Sequence, residues 1–133
     1  GKPDDAVRYL TKMIQLKAKS LREDIQGYAR LMLLMAHYDL ENYDVMEYMI
    51  QQYERFFEHL QDQNEVYVDC LKMFQQLISV PLNERAEILL KYRESFIELE
   101  KSPFEKRTFL YLDIVPWIDS RLYNTTIEDI VSR

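Results

Sequence analysis

The sequence predicts an all-α fold of antiparallel helical hairpins, and three features predict it. Only two glycines, Gly1 and Gly27, and four prolines occur in 133 residues, too few for the turns that a β-rich or α/β chain of this length requires. Apolar residues recur with a helical period along most of the chain, as amphipathic helices require. Ser, Thr, Asp or Asn stands where each periodic run begins, and their side chains cap the free N–H groups of a first turn. About six helices and a short C-terminal turn follow.

The first helix is expected from about Asp4 to Lys19, with Ala6, Val7, Leu10, Met13 and Ile14 on one face and basic residues on the other. Ser20 and Glu23 have the spacing of a capping box, which starts a second helix there. Between Gly27 and Ala36 only Arg30 is charged. Tyr28, Leu31, Met32, Leu34 and Met35 surround the axis, so this is expected to be the central helix, covered on several sides.

Leu40 to Tyr43 interrupts the period, and Asn42 is placed to cap a third helix carrying Met46, Met49, Ile50, Tyr53, Phe56, Phe57 and Leu60. So short a break makes helices two and three a hairpin. Asp62 with Glu65 reads as the next capping box, ahead of a stripe of Tyr67, Cys70, Leu71, Phe74, Leu77 and Ile78. Pro81 ends that helix and Asn83 caps a fifth, running to about Lys101. Ser102-Pro103-Phe104-Glu105 is the strongest start signal, opening a sixth helix to about Tyr123 with a kink expected at Pro116. Thr126 and Asp129 cap a last turn through Val131.

Two pairings of these helices stay open, Asp4–Leu40 and Glu23–Leu60, ahead of a hairpin over Asn64–Lys101. The second helix can partner either neighbour.

A net charge of −6 disfavours nucleic acid as a partner. No stretch reaches the roughly 18 apolar residues of a membrane span, and with one cysteine, Cys70, at an apolar helical position, the chain reads as soluble and cytoplasmic. No phosphate loop can form around Gly27 alone. Leu34 and Phe56 stand three before His37 and His59, where a di-iron bundle needs Glu. One cysteine and two histidines give no zinc spacing. No cofactor, metal or catalytic set is expected.

His59 reads as a dipole partner in a last helical turn, Cys70 as an inert buried thiol beside Asp69, and the tyrosines and methionines as core. Arg30, inside an apolar stretch, either pairs with an internal carboxylate, the favoured reading, or offers its guanidinium to a partner's carboxylate. The acidic set Glu54, Glu58, Asp62 and Glu65 and the basic set Lys12, Lys17 and Lys19 read as solvated faces.

The stretch Ala29–Phe57, through Leu33, Tyr38, Leu40 and Tyr43, resembles one helical hairpin of a tetratricopeptide repeat, in degenerate form. The family's small residues are here Leu34, Met46 and Tyr53, and Glu41 replaces its turn glycine. Residues 28–50 with 102–122 are further similar to the C-terminal region of uncharacterised Bacteroidetes helical-repeat proteins. The likeness implies a right-handed superhelix of stacked hairpins that presents a groove to a protein or peptide. Residues 1–133 then form a single helical-repeat domain, a piece of a longer bacterial chain.

The expected function is therefore non-enzymatic protein or peptide binding, or a scaffold role, with Arg30, His37 and Tyr38 as candidate partner-binding residues. A homodimer through Phe56, Phe57 and Trp117 is one form this takes. The alternative is a bundle holding a small apolar ligand among Met32, Met35, Tyr48 and Met49. An enzyme, which needs Arg30, His37 and Asp39 to converge, ranks last.

Overall fold

The structure, a computed structural model, describes residues 2–60 and 64–131, with side chains at 5–19, 21–60 and 64–123. It is all-α, with no strand among the described residues. The helices are α1 (Lys2–Asp39), α2 (Tyr43–Glu58), α3 (Glu65–Ile78), α4 (Arg85–Glu100), α5 (Lys106–Tyr111) and α6 (Ile114–Val131), with a 3-10 turn at Leu82–Glu84.

The expected first and second helices are one. α1 runs 38 residues without a turn, about 57 Å at 1.5 Å per residue. The capping box at Ser20 and Glu23 is not used as a helix start, because the Ser20 backbone is itself helical. A cap needs a chain that turns, and nothing between Asp4 and Gln26 breaks a helix. The Asp4–Leu40 hairpin therefore does not form, and the second half of α1 pairs with α2.

That half is covered on one side rather than several. Gly27, Tyr28, Leu31, Leu34 and Tyr38 are buried, whereas Met32 and Leu33 are each 49% exposed. Gly27 sets how closely α1 approaches α3, since a Cβ there would lie 3.2 Å from the Tyr67 ring and 3.4 Å from Phe57. Those two rings stack at 4.7 Å, with Tyr28 edge-on to Tyr67 at 6.2 Å.

α1 ends in a Schellman motif. The Asn42 N–H donates to the His37 carbonyl and the Glu41 N–H to that of Tyr38, both at 3.0 Å. Glu41 holds φ at 60°, in the left-handed region. Asn42 does stand at the N-cap of α2, but its side chain makes no cap bond and meets His37 Nδ1 at 3.2 Å instead.

Met46, Met49, Ile50, Tyr53 and Phe57 of α2, and Tyr67, Cys70, Leu71, Phe74 and Leu77 of α3, are buried at the expected helical spacing. Asp62 lies outside the described residues. The cap of α3 is Asn64, whose Oδ1 accepts from the Val66 N–H at 2.8 Å. Asp69 pairs with Ser95 and Gln76 with Tyr92, the descending register of an antiparallel α3–α4 hairpin. Asn83 is no cap, because the chain already turns as a 3-10 helix from Leu82 and delays α4 to Arg85.

The expected sixth helix is divided. Residues 101–105 form turns, α5 is short, and the chain extends at Leu112 (φ −119°, ψ 108°) before α6. Pro116 causes this, since its ring crowds the carbonyl four residues back, at Leu112, and its nitrogen has no hydrogen to donate. A break there replaces the kink, and Pro116 falls in the first turn of α6, where a missing N–H costs nothing. The backbone of α6 stays helical through Val131, so no separate turn starts at Thr126.

Glu41 is a β-carbon residue in a glycine conformation, which costs about 1 kcal/mol. Glu41→Gly is expected to raise the thermal midpoint by about 3–5 °C, read by calorimetry. An unchanged or lower midpoint contradicts the strain assigned to this turn.

Candidate functional site

The end of α1 is held by an aromatic cradle around a buried cation. Arg85, 7% exposed, begins α4. Its Nη1 donates to the hydroxyls of Tyr43 (2.8 Å) and Tyr38 (3.4 Å), and its Nε to the Val80 carbonyl (3.2 Å). The guanidinium also lies 4.7 Å from the Tyr43 ring centre and 5.6 Å from that of Tyr38, so ring faces and neutral oxygens take the place of a carboxylate. Tyr38 packs edge-on against Trp117 at 5.4 Å. Asp39 accepts from Trp117 Nε1 (3.4 Å) and Arg121 Nη2 (2.8 Å). Thus α1, α4 and α6 meet at one end of the molecule.

The three residues singled out in the sequence fall in different settings. Tyr38 is in the core, 9% exposed. His37 is half-buried at the Schellman turn, against Asn42. Arg30 is also half-buried, and the internal ion pair expected for it is not what it makes. Its Nη1 donates to the Gln26 carbonyl at 3.1 Å, and its guanidinium lies 3.6 Å above the Phe56 ring and 5.8 Å from Tyr53. Aromatic faces already supplied by α2 satisfy a cation without a buried carboxylate's desolvation cost.

Of the residues proposed for an apolar ligand, Met32 and Tyr48 are 49% and 63% exposed, and Met49 is packed in the core. Cys70 is fully buried, and burial, with Asp69 beside it, pushes its thiol well above the ordinary range. Among the described residues no three His, Cys, Asp or Glu side chains group to hold a metal ion, and no helix is long and apolar enough to cross a membrane.

Sequence reasoning missed two features. Glu105, read as the capping partner of Ser102, turns inward instead and is 5% exposed. Its Oε1 accepts from the Glu65 N–H (3.3 Å) at the N-terminus of α3, while Asn64 Nδ2 donates to Thr108 Oγ1 (2.6 Å). Glu105 Oε2 is buried without a hydrogen-bond partner. Nothing in the sequence marks this carboxylate as reaching a helix 40 residues away.

The second is the N-terminal arm of α1. Every described side chain from Asp5 to Lys19 is exposed, including Val7 (63%), Leu10 (58%) and Ile14 (68%). Their face continues toward Tyr28 and Leu31, which the body covers. Arg8, Lys12, Lys19 and Arg22 lie opposite, and Lys17 interrupts the apolar band. Residues 1–22 carry a net +4 and residues 23–133 a net −10. The signal was the unbroken helical period across Ser20, which does not itself say whether an apolar face is covered.

Between α2 and α3 runs a groove made of two adjoining hollows of about 290 and 430 Å³ that share Glu54. One has Phe57, Tyr67, Val68 and Leu71 in its wall, and Asp44, Glu47 and Glu58 rim the pair.

The fold and these surfaces define an all-α protein of packed helical hairpins with an amphipathic arm. Comparison with protein-family models, with curated proteins and with solved structures gave no match.

Burial raises the Glu105 carboxyl above its ordinary value of 4.5, and Glu65 and Asp69 nearby add to this against the helix N–H groups that lower it. Below that value both folded and unfolded forms are protonated. As the pH rises through it the unfolded chain releases its proton first, so stability falls until the folded value is passed. Glu105→Gln keeps the acceptor and removes the charge. Relative to the parent chain it is expected to gain stability as the pH rises past the ordinary carboxylate value, read by urea unfolding. A difference that does not change with pH contradicts this reading.

Proposed function

We propose that this chain is a non-enzymatic domain that binds a protein or peptide, or acts as a scaffold, through the amphipathic arm of α1. The observation that carries this is the arm itself. A band with Val7, Leu10, Met13, Ile14 and Leu21 each 49% or more exposed exceeds the scattered apolar side chains of an ordinary surface. Its basic reverse face adds selectivity for an acidic partner. Apolar contact supplies affinity, and the charges supply orientation and encounter rate.

A tetratricopeptide-like arrangement goes with this reading. Consecutive helices from α1 to α4 pack on one another. Contacts of Tyr28 with Tyr67 and of Tyr38 with Phe74 give α1 and α3 the same direction, as first helices of successive hairpins have. A reducing cytoplasmic setting is also part of the proposal, supported by a buried, unpaired Cys70.

Selection from a displayed library of peptides tests this. The parent chain is expected to enrich segments with acidic residues beside an apolar helical face, and Leu10→Asp with Ile14→Asp to lose most of that enrichment. Both positions are exposed, so the variant should fold. No enrichment by the parent chain, or equal enrichment by the variant, overturns the reading.

A further inference from the structure

We propose that the arm of α1 seats in the α2–α3 groove of a second copy of this chain, an inference that rests on the binding role proposed for the arm. One contact then accounts for two features that are otherwise separate, an amphipathic basic helix with no described residue against its apolar face, and a groove that is apolar in its smaller hollow and acidic along its α2 side.

The dimensions agree. The exposed arm, residues 5–19, spans about 22 Å, and α2, whose 16 residues form one wall of the groove, spans about 24 Å. So does the chemistry. Asp44, Glu47, Glu54 and Glu58 follow one another along one stripe of α2, with only Gln51 uncharged between them. Val68 beside them is 44% exposed, above the buried rings of Phe57 and Tyr67. On the arm, Leu10, Met13 and Ile14 supply the apolar face. Lys17 falls within that band, where its long side chain reaches a rim while its stem stays on apolar surface. Lys72 also lines the groove, on its α3 side, so the acidic attraction comes from the α2 side.

The arm does not reach the groove of its own chain. α1 has no turn between Lys2 and Asp39, which holds the arm clear of the body. The charge division also selects the occupant. A basic amphipathic helix alone suits an anionic lipid surface, but the remaining residues, at net −10, are repelled by such a surface and attract the arm of another copy. The arm face is continuous with the face that packs α1 onto its own body, so docking extends an existing mode of packing. Two copies that exchange arms close into a two-fold dimer in which each arm and each groove is used once.

Sedimentation of the whole chain over a dilution series tests this, with circular dichroism confirming that each variant folds. The parent chain is expected to dimerise. Leu10→Asp with Ile14→Asp is expected to weaken the dimer at least about a hundredfold. Glu54→Lys with Glu58→Lys on the rim, and separately Lys17→Glu on the arm, are each expected to weaken it about tenfold. Mixing those two charge-reversed variants is expected to restore association to near the parent value. A dimer that the arm variant abolishes and the rim variant leaves intact overturns groove docking in favour of arm pairing with arm. A chain that stays monomeric overturns self-docking. If that monomer still selects library segments through Leu10 and Ile14, the binding role stands without it. If it selects none, both fall.

Discussion

An unbroken α1 is the constraint on which the rest of the structure depends. Its two halves share one apolar face but meet different surroundings, and the boundary between them lies at Gly27. There the missing side chain lets the helix close on the stacked Tyr67 and Phe57 rings. Beyond that point Tyr28, Leu31, Leu34 and Tyr38 anchor the core. Asp24 still reaches the body through an ion pair with Arg107, but from Asp5 to Lys19 the described side chains lie exposed. Apolar burial, the main favourable term in folding, is thus used over half of the helix and left available over the other half.

Polar groups fix the far end of α1 and through it the later helices. The Arg85 guanidinium joins the start of α4 to Tyr38 and Tyr43, and Asp39 joins α1 to Trp117 and Arg121 of α6. Arginine suits the first position because its planar fork donates in several directions at once and tolerates aromatic faces. A buried cation of this kind specifies register, since sliding α4 by one residue would strand it without acceptors. Glu105 has a comparable part at the other end, where it meets the N-terminus of α3 at the expense of burying a carboxylate.

The middle of the chain was legible in the sequence because local and tertiary signals agree there. The core positions of α2 and α3 follow from helical spacing alone, and the short Leu40–Asn42 connection fixes the hairpin of α1 with α2. The ends were less legible for separate reasons. Ser20 and Glu23 have the spacing of a cap, but a cap motif only terminates a chain that has cause to turn. Ser102 and Glu105 have the same spacing, yet a long-range contact at Glu65 took the glutamate. Pro116 marked a discontinuity correctly, but whether the helix bends or breaks depends on Leu112 adopting an extended conformation, which a core position rather than a sequence rule decides. Of the candidate site, the basic face of the first helix was visible. Its exposure was not, because periodicity shows that a face is apolar and leaves open what covers it. Arg85 carried no sequence signal, since its tyrosine partners lie more than 40 residues away.

The most direct test is the distance along α1. Spin labels at residues 8 and 33, both exposed positions, are 25 residues apart, which a continuous helix converts to about 37 Å. Pulsed electron resonance on labelled chain diluted into unlabelled chain reads that distance without contributions from a second copy. A distribution centred near this value is the expected result. A hairpin turning at Ser20 would instead bring the two sites to on the order of 10 Å, the spacing of packed neighbouring helices, and would contradict the account of the arm.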